Sequence, residues 1–447
     1  MAASIFGTDG VRGMPGQYPL DRKTIARLGA ARTRSINSDC PKLLVARDTR
    51  ESGHWIEQHL ATGVASEGGV LVSIGVMPTP AAAFLVKSEG FDGAFVISAS
   101  HNPFPDNGIK ILTRDGVKAS LEFETKLSRL VQESLPVSSV ALNGTFETLD
   151  LMDSYLVHVR KALNSADRMN STRIAIDCAN GSTSVVAPRL LRELGFDVFV
   201  LNAKPDGRNI NENCGSTSPD QLQQSVRLHN CELGVAFDGD GDRAILVDQN
   251  GVLLDGDAIL FICATHLASI GALPGSSVVA TVMSNIGLEI ALRRFGIVVH
   301  RCPVGDREVF NMMQQRGSIL GGEQSGHVIF SDLLPTGDGL LTTLSVLNAM
   351  SATGRCLSKL CTGLEVSPQV LLNVEVRSKP KLQSEPEIIE TIKAAEEKLG
   401  ANGRVLVRYS GTEPLLRIMV EGPNFAVVED LAEKIAQSAR KQLGTGV

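Results

Sequence analysis

Three short apolar stretches, Ala94–Ile97, Leu233–Phe237 and Ile319–Leu320, each run straight into a polar loop of unusual composition, one to each domain-sized segment of the chain. Short apolar runs bounded by turn residues read as buried strands. In open α/β sheets, ligands bind beyond the carboxyl ends of such strands. A chain with this layout therefore repeats an α/β unit and collects its chemistry at strand ends. A fourth polar loop, Arg408-Tyr409-Ser410-Gly411-Thr412-Glu413-Pro414, lies in the tail.

The periodicity around these loops supports that layout. In the first segment, Leu43–Ala46 and Val70–Ile74 read as strands, Trp55–Ser66 as a helix, and Pro80–Lys87 as a helix opened by proline. After Ile97 the chain enters a polar stretch. A helix near Asp153–Leu163 introduces the second segment, where strands Arg173–Asp177 and Val198–Leu201 flank the helix Val185–Leu194, which Gly195 ends. The third repeats the pattern with Val278–Val282, the helix Ile286–Phe295 and Ile297–His300. The tail differs: strands Val370–Val376, Arg404–Arg408 and Leu416–Val420 alternate with helices Glu387–Leu399 and Ala426–Leu443. At 447 residues the chain is too long for one core. The expected architecture is α/β, with three similar domains of mixed sheets over 1–148, 149–254 and 255–366. A smaller α+β domain over 367–447 completes it, and the four surround a central cleft.

Composition narrows the function. Hydrophobic residues at 43% and charged residues at 21% describe a globular chain. A net charge of −6 argues against a nucleic-acid partner, which rewards a clustered basic surface. The eight cysteines are dispersed and none makes a C-x-x-C pair, so neither a structural zinc site nor a disulfide scaffold is expected. The opening MAASIFGTDG lacks the charged and apolar regions of a signal peptide, and no later run is apolar enough to span a membrane. A cytoplasmic location is expected.

The acidic loop Asp238-Gly239-Asp240-Gly241-Asp242-Arg243 carries the strongest chemical signal. Alternate residues of an extended chain point to one side, so three carboxylates converge. Hard oxygen ligands suit Mg²⁺ or Ca²⁺ and not zinc. A water-solvated acidic turn is the plainer alternative, but carboxylates this close repel one another unless neutralised. A calcium EF-hand is excluded: counted from Asp238, Arg243 stands where that loop needs Gly and Gln249 where it needs Glu.

The other loops are weaker signals singly. Ser98-Ala99-Ser100-His101-Asn102-Pro103, followed by Asp106-Asn107-Gly108-Ile109-Lys110, offers a hydroxyl nucleophile beside His and Lys, yet its residues also suit any turn. The tail loop, with Arg417 after it, offers hydroxyls, a glycine amide and guanidinium groups that match phosphate oxygens, and is equally a polar hairpin. Gly321-Gly322-Glu323-Gln324-Ser325-Gly326-His327 can hydrogen-bond sugar hydroxyls or form a bulged strand, with His327 in a structural role. No G-x-S-x-G elbow and no G-x-x-x-x-G-K-[ST] phosphate loop occurs, which removes the α/β-hydrolase and P-loop readings.

Together, S-A-S-H-N-P, D-G-D-G-D-R, G-E-Q-S-G-H and R-x-S-G-T-E-P occur in the order and spacing of the α-D-phosphohexomutase family, which the chain resembles over essentially its whole length. Within it, Phe6–Gly13 (FGTDGVRG), Asn209-Ile210-Asn211, Cys214–Thr217, Val304–Arg307 and Gln324 are similar to the branch that acts on glucosamine phosphate. Departures are Tyr409 where Pro is usual, Ala46 for a common Gly before Arg47-Asp48-Thr49-Arg50, and Cys302 and Glu308 beside the Val304–Arg307 loop. None removes a proposed chemical group.

The resemblance implies roles. Ser100 becomes the phosphoserine, and Asp238, Asp240 and Asp242 hold one Mg²⁺ per chain together with a phosphoserine oxygen. His101, Lys110 and Arg243 surround the transferring group, with Arg12 near the reacting phosphate. Glu323 and Ser325 grip the sugar. Arg408, Ser410, Gly411, Thr412 and Arg417 hold the phosphate that is not reacting. The implied reaction interconverts glucosamine 6-phosphate and glucosamine 1-phosphate through a 1,6-bisphosphate that turns end for end, with the tail domain as a lid. For Lys110 to act as base, its pKa must be lowered. An unidentified kinase or bisphosphate donor primes Ser100, and a homodimer is the assembly that analogy suggests. Other readings are the phosphomannomutase/phosphoglucomutase branch, a metal-dependent phosphatase, and a non-enzymatic sugar-phosphate binder.

Overall fold

A computed structural model describes residues 4–7, 9–133, 146–163, 171–410 and 413–444. The first sheet contains β1 (Val11–Gly13), β2 (Lys42–Arg47), β3 (Val70–Val76), β4 (Gly93–Ile97), β5 (Asn107–Thr113) and β6 (Glu147–Thr148), in the order β1-β5-β4-β2-β3-β6. The second contains β7 (Arg173–Asp177), β8 (Asp197–Leu201), β9 (Leu233–Phe237), β10 (Ala244–Asp248) and β11 (Leu253–Leu254), in the order β11-β10-β9-β7-β8. The third, β13-β12-β14-β15, is built from β12 (Ser277–Thr281), β13 (Val298–Cys302), β14 (Leu320–Gly322) and β15 (Val328–Phe330). The tail sheet places β18 (Leu415–Glu421) between β16 (Gln369–Glu375) and β17 (Arg404–Tyr409), antiparallel to both.

The first three sheets share one device. Each has parallel pairing at its centre: β2 with β3 and β4, β7 with β8 and β9, β12 with β14. In each, the strand that carries the polar loop is then followed by an antiparallel return strand: β4 by β5, β9 by β10, β14 by β15. The strands expected from apolar periodicity lie before these loops, so the return strands are a feature of the structure. β5 was hidden because Asp106-Asn107-Gly108 reads as a turn. Within β5, Gly108 sits where a Cβ would come within 2.6 Å of the Ser98 carbonyl oxygen, so a residue that looks like a turn former is there for close approach.

Helices Arg22–Arg34, Gly53–Ser66 and Leu121–Gln132 cover the first sheet, where Leu28, Leu60 and Leu127 join Phe95, Ile97, Ile109 and Ile111 in one core. The chain packs as two compact units, Met1–Met283 with Val299–Thr362, and Ser284–Val298 with Gly363–Val447. The helix Ile286–Arg293 therefore belongs with the tail. Its cap Asn285 accounts for that: the side chain donates to the Ser367 carbonyl and to Glu421, both at 3.1 Å, and accepts from the Ser367 amide at 2.9 Å. Among the described residues, no helix is long and apolar enough to cross a membrane.

One buried pair gives the first unit a pH dependence. Asp338 caps the helix Gly339–Thr353 through the amides of Leu340 and Leu341 and accepts a 2.8 Å hydrogen bond from the Tyr155 hydroxyl. Burial pushes the Asp338 carboxyl up to about 6, against the hydrogen bonds that favour its charge. A carboxyl that binds its proton more tightly when folded loses stability as pH rises. The loss starts near the ordinary 3.8 and is complete above about 6. The difference is on the order of 3 kcal/mol. Asp338→Asn keeps the capping oxygen, so its urea-unfolding free energy is expected to lack this decline. Parallel pH profiles for the two proteins would refute the assignment.

Candidate active site

Ser100 begins the tight turn after β4. It is buried, with φ of +52°, a left-handed conformation that serine adopts only when its surroundings hold it there. Its Oγ donates to Asp238 Oδ2 at 2.6 Å, joining a hydroxyl of the first segment to a carboxylate of the second. His101 Nδ1 lies 3.4 Å from the same oxygen and 3.1 Å from Arg243 Nη1. Partial burial, then the cations of Arg243 and Arg12, hold the His101 pKa below the ordinary histidine value, so the ring is neutral.

The acidic loop joins β9 to β10, and that hairpin brings Asp238, Asp240 and Asp242 together, with one oxygen from each lying within 4.8 Å of the others. All three are buried. Gly239 permits the approach to the serine turn, since a Cβ there would meet the Ser100 carbonyl oxygen at 2.6 Å. Burial and the neighbouring Asp242 and Asp240 raise the Asp238 pKa well above the carboxylate range. Asp242 moves the other way: Lys110 and His327 outweigh burial and hold it well below.

Lys110 lies on β5, opposite Val96 of β4. Its ammonium donates to Asp240 Oδ2 at 2.7 Å and Asp242 Oδ2 at 3.2 Å. Burial alone would lower its pKa, but Asp240, Asp242 and Asp9 outweigh burial and raise it well above the ordinary value. The lowered pKa that a basic Lys110 requires is thus not what this arrangement produces; the residue acts as a counter-cation. Arg12, on β1 beside β5, donates to the Ala99 carbonyl at 2.6 Å and pairs with Asp9, which also binds Lys118. Arg243 Nε stands 3.8 Å from Asp242 and 4.0 Å from Asp238.

Two oxygens in this cluster lack a hydrogen bond. Asp240 Oδ1 and Asp242 Oδ1 are buried without a hydrogen-bond partner among the described residues, although buried polar atoms are nearly always paired. Orphaned, converging carboxylate oxygens fit a hard divalent cation. No other group of three or more potential ligands lies so close among the described residues.

The third segment docks on this loop through its backbone. The Ala244 amide donates to the Gly326 carbonyl at 3.1 Å and the Gly339 amide to the Gly241 carbonyl at 3.0 Å. His327 Nε2 accepts from the Gly337 amide at 3.1 Å, which leaves the proton on Nδ1, 3.7 Å from Asp242. The structural role expected of His327 omitted this contact with the acidic loop. Glu323 accepts from the Gly305 amide at 3.0 Å, and Ser325 is exposed. Gln324 turns away to Asp255, at 3.1 Å. A cavity of about 650 Å³ opens beside His327, lined also by Lys118, Asp306 and Arg307.

The tail loop joins β17 to β18, and Gly411 and Thr412 lie outside the described residues. Arg408 and Arg417 are register partners on adjacent strands, so their side chains share one face. Arg417 donates to Glu413 at 2.9 Å, and the buried Ser410 accepts from Lys379 through its carbonyl at 2.6 Å. Tyr409 extends β17 and packs on the tail core.

A hydroxyl in contact with converging carboxylates and ringed by cations suits phosphoryl transfer. The chain belongs to the phosphoglucomutase/phosphomannomutase family. Residues 3–136, 153–251 and 255–366 match its alpha/beta/alpha domains I, II and III, and residues 371–438 its C-terminal domain. Among curated relatives, the phosphoglucosamine mutase of Solibacter usitatus is 44% identical over 99% of this chain and 100% of its own length. That of Syntrophotalea carbinolica is 43% identical over 99% of each. Of solved structures, a phosphoglucomutase/phosphomannomutase family protein from Burkholderia thailandensis superposes with a TM-score of 0.80 at 24% identity, covering 98% of this chain and 97% of that one. The N-acetylphosphoglucosamine mutase of Aspergillus fumigatus, solved with GlcNAc-6P and magnesium, gives 0.69 at 17%, covering 98% and 95%.

Proposed function

We propose that the chain is a phosphoglucosamine mutase, an isomerase that interconverts glucosamine 6-phosphate and glucosamine 1-phosphate by passing a phosphoryl group through Ser100. The observation that carries this reading is the 2.6 Å contact between the Ser100 hydroxyl and Asp238, both buried. Full-length relatives that bear the phosphoglucosamine mutase name support the amino-sugar substrate. The cytoplasm, where free thiols persist, is the compartment that fits its cysteines.

Phospho-Ser100 gives its phosphoryl group to the free hydroxyl of the sugar phosphate. The P–Oγ bond breaks, a P–O bond to the sugar forms, and the sugar hydroxyl proton ends on Ser100 Oγ, leaving the 1,6-bisphosphate. The intermediate turns over, and the other phosphoryl group returns to Oγ as the proton moves back. Asp238, Asp240 and Asp242, with a phosphoserine oxygen, would hold one Mg²⁺, which when bound offsets charge on the phosphoryl oxygens. Arg243, Lys110 and Arg12 add fixed positive charge around the reacting group, and that is most of what a protein can supply to phosphoryl transfer. Neutral His101 places a basic nitrogen within reach of Oγ. Glu323 and Ser325 bind sugar hydroxyls, while Arg408, Ser410, Gly411, Thr412 and Arg417 hold the distal phosphate. On this reading the segments 1–148, 149–254, 255–366 and 367–447 contribute one loop each.

Measuring kcat/KM for glucosamine, glucose and mannose phosphates tests the substrate. Glucosamine phosphate is expected to lead by about 10-fold or more, because a buried polar group that loses its partner discriminates strongly. Equal or faster turnover of mannose phosphate would move the chain to the sister branch, and steady release of inorganic phosphate would make it a phosphatase.

A further inference from the structure

The Arg47–Arg50 run and the Asn209–Asn211 run have no part in the chemistry above, yet both end on the backbone of the Ser100 turn. Arg50 is 1% exposed and uses all five of its N–H groups. Nε donates to Asp48 at 2.9 Å. The other four reach the carbonyls of Ser100 at 3.0 Å, Asn102 at 2.8 Å, Pro103 at 2.6 Å and Asp106 at 3.0 Å. Asp48 also accepts from Ser98 Oγ at 2.7 Å, and Ser98 Oγ in turn accepts the Ser100 amide at 2.9 Å. Both sides of the Ser100 peptide unit are thereby tied to one buried ion pair.

Asn211 approaches from the second segment. Its own φ is +59°, and its Nδ2 donates to the Ser100 carbonyl at 2.9 Å and the Asn102 carbonyl at 3.0 Å. The Ser100 carbonyl therefore receives a guanidinium N–H from one segment and an amide N–H from the other. A left-handed serine left alone relaxes to an ordinary conformation, and that rotation would carry Oγ away from Asp238.

We infer that Arg50 and Asn211 are positioning residues that clamp the Ser100 carbonyl and so hold Oγ in line for transfer, once as leaving group and once as acceptor in each cycle. The inference rests on the reading of Ser100 as phosphoacceptor. Neither residue has a role in gripping the sugar, so the clamp should govern the rate of transfer and not the affinity for sugar phosphate.

The test is single-turnover transfer from the phosphorylated full-length protein to glucosamine 6-phosphate, read by rapid quench, in wild type, Arg50→Lys and Asn211→Gly. Lysine keeps the charge but cannot span four carbonyls. Glycine accepts the left-handed backbone of residue 211 and removes only the amide. Both variants are expected to transfer about 10- to 100-fold more slowly per folded molecule, as small misplacements of a reacting atom do. Sugar-phosphate affinity is expected to stay within about twofold of wild type, because a clamp changes orientation and not binding. Should Arg50→Lys fail to fold, Asn211→Gly decides. Wild-type transfer by Asn211→Gly, or a loss of affinity equal to the loss of rate, overturns the clamp. If wild type itself transfers to no hexose phosphate, the parent reading fails, a signature distinct from any difference between variants.

Discussion

Ser100→Ala is expected to lose turnover by at least about 10⁴-fold, because removing the group that carries the covalent intermediate leaves no partial route. The variant should keep its fold: the Ser100 backbone is held by Arg50, Ser98 and Asn211 and not by its own side chain. Circular dichroism and a melting curve check that alongside the mutase assay. Intact mass after incubation with the bisphosphate should show one added phosphate in wild type and none in the variant. Phosphate on Ser98, or a variant that still turns over, would transfer the nucleophile's role elsewhere.

The second large effect concerns the acidic loop. Asp240 Oδ2 is engaged by Lys110 at 2.7 Å and by the Thr79 hydroxyl at 2.6 Å, while Oδ1 is buried with no hydrogen-bond partner among the described residues. Asp240→Asn preserves volume and removes one charge. Turnover is expected to fall by about 10²-fold or more, the usual cost of losing one element of charge stabilisation at a transferring group. A second readout does not depend on activity. Magnesium at about 100 times its Kd should stabilise wild type by roughly 2.7 kcal/mol through mass action, and Asp240→Asn by much less. A wild-type melting temperature indifferent to magnesium would remove the metal assignment.

Much of the architecture was legible because apolar periodicity is local. Leu233–Phe237 and Arg173–Asp177 match the structure to the residue, and the tail elements to within one. The acidic loop was legible for another reason: three alternating carboxylates have few neutral readings. The return strands β5, β10 and β15 were not seen. Each follows directly on a polar loop, Ser98–Asp106, Asp238–Arg243 or Glu323–His327, and pairing with the preceding strand, not local preference, makes it a strand. The sequence sets only a condition on Lys110, that a basic role needs a lowered pKa. Its actual direction depends on Asp9, Asp240 and Asp242, which converge from distant parts of the chain.

By itself the sequence determined which chemical groups this protein owns, and that strand ends would display them, because side-chain chemistry and hydrophobic period belong to a residue and its near neighbours. Tertiary structure alone decided that the loops became hairpin tips, that Lys110 stays charged, and that Arg50 and Asn211 hold the serine. The physical reason is that those outcomes rest on long-range partners. Four of the five N–H groups of Arg50 end on main-chain carbonyls, which every residue has and no side-chain pattern can announce.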